Sequence, residues 1–322
     1  MAIEQVQLRR TINWPGFLRR YGIVFSFLFL CLALSLLSDR FLTWTNVLNI
    51  LRQSSINGII AVGMTMVILT RGIDLSVGAV LALSSVVTAD LLQIGLPVPL
   101  AMLTGLALGA ALGSASGLLI SRLRIPPFIA TLGLMTVSRG LALTYTQGMP
   151  ITSLPASFDF LGAGSLGPIP MPIVLAAVIF LAGHFLLTRT NLGLYIYALG
   201  DNPVAARFSG ISTRKVTFFV YALTGFLAAL AGMILAGRLD SAQPTAGYGY
   251  EFDAIAAVVV GGTSLAGGEG NLFGTLVGAL LIGVLNNGLN LLNVPSLWEQ
   301  VVKGVVIALA LLLYRAGKIT SK

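Results

Sequence analysis

The chain has 322 residues, of which 56% are hydrophobic and only 9% charged, and its mean hydropathy is +0.93. Soluble domains carry roughly 25% charge, so this composition excludes an ordinary aqueous surface. A net charge of +8 invokes nucleic acid, but the basic residues are scattered between apolar runs rather than gathered in one patch. No nucleic-acid partner is expected, and the lone Cys31 leaves no disulfide framework within the chain.

Residues 1–20 read as a cytoplasmic tail, 21–314 as a single transmembrane domain and 315–322 as a second cytoplasmic tail. Apolar runs over 21–37, 97–120, 171–187, 216–236 and 273–292 approach or exceed the length that crosses a bilayer. Less clean runs cover 57–70, 75–94, 126–146, 252–262 and 297–314. The expectation is an all-α polytopic membrane protein with about ten transmembrane helices, each pairing its own backbone groups. With both termini cytoplasmic, most of the 19 Lys and Arg residues fall inside. The first span follows Arg19-Arg20 and lacks a small-x-small cleavage site, so it reads as a retained anchor.

Two breaks interrupt the apolar pattern, Thr70-Arg-Gly-Ile-Asp-Leu-Ser-Val-Gly78 and Gly261-Gly-Thr-Ser-Leu-Ala-Gly-Gly-Glu-Gly270. Transporters often contain broken helices and internal repeats, though the likeness here is too short to establish one. Arg71 and Asp74 share a face if the first break is helical, which makes them gate candidates. In the competing reading Asp74 caps the next helix. Gly105, Gly109, Gly113 and Gly117 form a groove for a close helix, in this chain or in another. The turn-rich stretch 147–170 is the longest expected outside loop. His184 stands in an apolar span with no acid or cysteine beside it in sequence, and reads as a satisfied intramembrane imidazole.

The longest expected inside loop is a polar island over 188–215. It carries helix signals: Asp201 or Asn202 as N-cap, Pro203 in the first turn and Gly210 where a helix stops. A short helix there reads as a handle for another protein. The outside segment 238–253 mixes aromatic, amide and acidic groups, suiting a docking rim, weak sugar contacts or a plain solvated loop. Asn286, Asn290 and Asn293 recur at i, i+4 and i+7 with Asn287 beside them. Such amides could line a path for sugar hydroxyls or hydrogen-bond between helices. No Gly-x-x-x-x-Gly-Lys-Ser/Thr loop, metal-ligand spacing or nucleophile set occurs, so no catalytic residue, metal or cofactor is expected.

Four stretches carry a family resemblance: Ala61-Val-Gly-Met-Thr-Met-Val-Ile-Leu-Thr-Arg-Gly-Ile-Asp-Leu-Ser-Val-Gly78, Pro127-Phe-Ile-Ala-Thr-Leu132, Tyr197-Ala-Leu-Gly through Ser209-Gly-Ile211, and Ser241-Ala-Gln-Pro-Thr-Ala-Gly through Leu265-Ala-Gly-Gly268. Together they resemble the ribose-type group of bacterial ABC importer permeases for monosaccharides, within the branched binding-protein-dependent permease family. Arg71 departs from the small residue that the family pattern leads one to expect.

The resemblance implies a permease in the bacterial inner membrane, working by alternating access as two copies of itself. It also implies a cytoplasmic ABC ATPase subunit, a periplasmic or lipid-anchored sugar-binding protein, a monosaccharide substrate with ribose foremost, and surrounding lipid. The ATPase would meet a coupling helix matching Asn202, Pro203, Ala205, Ala206, Arg207 and Gly210, with Pro203-Val204 in place of an acidic start. The competing class is an ion-coupled secondary sugar transporter. That class wants an acidic residue deep in the bundle, and only Asp74 comes near.

Overall fold

The computed structural model describes residues 14–295 and positions 298, 301, 302, 304 and 305. The expected tails over 1–13 and 315–322 and most of the expected span over 297–314 lie outside the described residues. The helices are α1 (Trp14–Leu37), α2 (Trp44–Leu69), α3 (Val77–Gln93), α4 (Val98–Ser121), α5 (Pro127–Thr146), α6 (Ala156–Ala163), α7 (Met171–Arg189), α8 (Asn191–Asp201), α9 (Pro203–Phe208), α10 (Thr213–Leu239), α11 (Tyr250–Val260) and α12 (Leu272–Leu291). Strands β1 (Ile151–Thr152) and β4 (Ser241–Ala242) pair antiparallel, as do β2 (Ser165–Leu166) and β3 (Ile169–Pro170). Among the described residues, α4, α5, α7, α10 and α12 are long and apolar enough to cross a membrane, and α3 and Gly22–Leu37 of α1 are shorter apolar helices. The chain is a mostly helical, polytopic membrane protein.

Proline sets several helix starts, at the first turns of α4, α5, α7 and α9, where a missing N–H removes no intrahelical bond. α10 forms the centre, packed along α4 and against α2, α3 and α6. α2 is buried almost without interruption from Ser54 to Leu69. The main core joins α2, α3, α10, α11 and α12, while α4, α5 and α7 keep most of their surface exposed. Polar ties hold α2 to α12: Asn46 and Asn287 exchange amide hydrogen bonds at 3.0 and 2.8 Å, and the Thr65 and Thr275 hydroxyls lie 2.8 Å apart.

The glycine groove of α4 is filled within the chain. A methyl at Gly109 or Gly113 would strike the α10 backbone at Gly225 or Tyr221, and one at Gly117 would meet Phe218. Gly105 faces Thr88 of α3 and Met233 of α10. His184 lies on the exposed face of α7 rather than in a polar pocket. The stretch 147–170, expected as turns, contains α6 and the β2–β3 hairpin.

The first break, 70–76, is a turn at Thr70-Arg71 followed by irregular chain rather than helix. Gly72 N–H closes α2 onto the Val67 carbonyl, and the Ile73 carbonyl accepts from the Thr131 hydroxyl at 3.3 Å and the Tyr221 hydroxyl at 3.5 Å. The segment 238–253, expected as an outer loop, dips into the bundle: Ala242, Glu251 and Asp253 are 1%, 7% and 3% exposed. Arg139 of α5 holds it there through the Pro244 and Ala246 carbonyls, at 2.7 and 2.8 Å. Its Gly247 packs against Gly78 at the start of α3. Non-helical backbone inside such a bundle persists only where partners satisfy it.

Candidate functional site

At one end of the bundle, α7 turns into α8 and then α9. Thr190 caps α8, its hydroxyl accepting from Gly193 N–H at 3.2 Å. Asn202 ends α8 and begins α9, its Oδ1 accepting from Val204 and Ala205 N–H at 3.0 Å each. Gly210, at φ 82°, stops α9: its N–H donates to the Arg207 carbonyl, and Ile211 N–H donates to Ala206. Both bonds of a Schellman ending are present. Of the two N-cap candidates the structure selects Asn202; Asp201 is the last residue of α8.

α9 rests on Ala206, which is 4% exposed, while Ala205 and Arg207 lie on the surface. Val204 and Phe208, 64% and 87% exposed, stand one turn apart. Sequence reasoning missed this apolar pair, although its i, i+4 spacing was a readable signal. Val204, Arg207 and Phe208 line an open groove of about 770 Å³ between α9, the end of α4 and the start of α10. Such a surface can seat an apolar and acidic partner.

Arg71 does not pair with Asp74. Its Nε and Nη2 donate to the Gly200 and Asp201 carbonyls at 2.6 and 2.5 Å, across 129 and 130 residues. Gly268 N–H donates to the Leu69 carbonyl at 3.0 Å, and a methyl at Gly200 would collide with both groups. The Tyr197 hydroxyl donates to the Gly270 carbonyl at 2.9 Å. Burial raises the Tyr197 phenol above its ordinary pKa. The end of α2, the end of α8 and the glycine-rich break over 261–270 thus meet in one junction directly behind α9.

Asp74 is 1% exposed, and its Oδ1 accepts from Ser76 N–H at 2.9 Å and the Ser76 hydroxyl at 2.6 Å. Those bonds make a local turn before α3, whose N-cap is Ser76 without a side-chain cap bond, so Asp74 neither pairs with Arg71 nor caps the helix. The asparagines of α12 divide. Asn286 is 3% exposed with its Oδ1 lacking a hydrogen-bond partner among the described residues, and Asn287 ties α12 to Asn46. Asn290 Nδ2 donates to the Asn286 carbonyl at 2.9 Å, and Asn293, at φ 55°, ends the helix in left-handed backbone. Sequence reasoning also missed Asn57, whose Nδ2 donates to Asp253 Oδ2 at 3.3 Å in the buried interior.

A helical membrane bundle is shared by many classes of protein, and it is similarity along the chain that sets this one's. Residues 46–311 match the family described as the permease component of branched-chain amino acid transport systems, and the chain belongs to that family. Among its relatives, the ribose import permease protein RbsC of Escherichia coli K12 is 48% identical over 316 residues, covering 97% of this chain and 98% of the relative. RbsC of Bacillus subtilis 168 is 50% identical over 318 residues, covering 98% and 99%. The D-allose transport system permease protein AlsC of E. coli K12 is 40% identical over 311 residues, covering 95% of each chain. No solved structure matches the chain.

Proposed function

We propose that the chain is the membrane-spanning subunit of an ATP-driven ABC importer for ribose, without an ATPase of its own. The observation that carries this is end-to-end similarity, 48–50%, to ribose import permeases from distant bacteria. The α8–α9 end faces the cytoplasm in this reading, supported by Arg122, Arg124, Arg189, Arg207, Arg214 and Lys215 gathering there. Both termini are cytoplasmic and about ten spans cross the inner membrane. Two copies enclose the path, a binding protein delivers sugar from outside, and α9 seats in the ATPase.

Movement of α9 reaches the bundle through the junction behind it. A push on α9 passes to α8 and, through the Gly200 and Asp201 carbonyls, to Arg71 and the end of α2. Gly268, bonded to Leu69, carries the same displacement to α11 and α12. The test reconstitutes permease, ATPase and binding protein in proteoliposomes. Arg207→Glu reverses the charge of the α9 surface, and Gly210→Pro forbids a φ of 82°. Both are expected to abolish ATP hydrolysis stimulated by loaded binding protein while the permease stays in the membrane. Normal stimulation in both variants, or ribose uptake driven by an ion gradient without ATP, overturns the reading.

A further inference from the structure

Arg139 lies twelve residues beyond Pro127 in α5, about 18 Å along the helix axis and so at membrane depth. Its Nη1 serves the Pro244 and Ala246 carbonyls, and its Nε and Nη2 have no protein acceptor among the described residues. The guanidinium carbon stands 5.7 Å from the centre of the Tyr248 ring, a cation–π distance. That ring is otherwise bare: Tyr248 is 75% exposed. Glu251, 7% exposed in the first turn of α11, is an electrostatic neighbour of Arg139. Next to Tyr248 in the chain, Gly249 has nothing within 4 Å of where a side chain would begin.

A partly buried arginine with free donors within a span is costly against lipid tails. This face therefore borders a polar path. Its chemistry is specific: donors from Arg139, an open aromatic face from Tyr248, and the negative charge of Glu251 buried behind them. An anion would leave Glu251 opposed, and an apolar molecule would leave the Arg139 donors unpaired. A neutral polyol satisfies all three, because its hydroxyls both donate and accept and its C–H face packs on an aromatic ring. We infer that Arg139 and Tyr248, with Glu251 opposing anions from behind, form a transient monosaccharide subsite on the translocation path, a reading that rests on the proposed transport function.

Arg139 also holds the 244–246 backbone, so its loss can disturb folding; Tyr248 carries the decisive substitution. In the reconstituted complex the quantity read is ribose carried per ATP hydrolysed. Tyr248→Ala is expected to lower that ratio at least tenfold, and Tyr248→Phe, which keeps the ring, to recover most of it. A Tyr248→Ala ratio within twofold of wild type overturns the subsite, as does equal loss in the Phe variant. A wild-type complex that carries another monosaccharide, with the same loss in Tyr248→Ala, supports the subsite and overturns only ribose. A complex that carries no monosaccharide overturns both.

Discussion

Arg71 occupies left-handed backbone, φ 65°, immediately after α2, a conformation that disfavours a side chain by roughly 1–2 kcal/mol. The position is held because its guanidinium reaches two main-chain carbonyls of α8, and charge-assisted bonds of this kind contribute about 1.5–3 kcal/mol each. Arg71→Ala removes the bonds and keeps the strain, whereas Arg71→Gly removes both. Both variants are expected to lower ATP hydrolysis stimulated by binding protein several-fold, with the Ala variant melting at the lower temperature. Wild-type stimulation in both would remove the junction from the transmission route. The sequence spacing of Arg71 and Asp74 pointed to a pair only under the assumption of a helix, and the irregular chain from Gly72 onward voids it. A partner 129 residues away leaves no local trace. The caps at Asn202 and Gly210 were legible because each acts on residues within one turn. Asn293 was read by its period with Asn286 and Asn290, yet its backbone geometry is that of a helix stop.

The long helices were visible as apolar runs; α8 was not, because Leu192, Leu194 and Ile196 sit in an island read as polar. The half-length α11 has only 11 residues, about 16 Å, so its first turn lies inside the bundle and draws Glu251 and Asp253 inward. Charge at the ends of this run looked like an outer loop because sequence does not show how far a chain re-enters. The α4–α10 contact gives the sharpest test of packing. Gly109→Leu and Gly113→Leu drive side chains into the α10 backbone, a clash of at least about 1–3 kcal/mol. Membrane abundance and monodispersity after extraction are expected to fall sharply for both. Gly22→Leu, in α1 with nothing within 4 Å of where its side chain would begin, is expected to accumulate like wild type. Equal accumulation of all three would mean that the α4 glycines are not set by α10.

As a whole molecule, the chain divides into a buried centre of α2, α10 and α12 and a periphery in which α5 is the least covered of the long apolar helices. Gly133, Thr136 and Gly140 give α5 a smooth, weakly polar face, which suits the proposed second copy better than lipid. Cys31 is the only cysteine, so a Cys31→Ser background isolates engineered thiols. Thr136→Cys in that background is expected to form a disulfide-linked dimer under mild oxidation in membranes, read on a non-reducing gel. Failure of Cys at 133, 136 and 140 alike would place the two-fold contact on another helix. The link between Arg71 and α8 has a different kind of consequence. Gly200 and Asp201 offer it only carbonyl oxygens, which every amino acid carries. The outward residues Val204, Arg207 and Phe208 can therefore drift to match a changing partner while the inward attachment stays blind to the drift. On the proposed coupling role of α9, a body of this design can be re-matched to a new motor by a few surface substitutions, and its points of mutational fragility are Arg71 and Gly200.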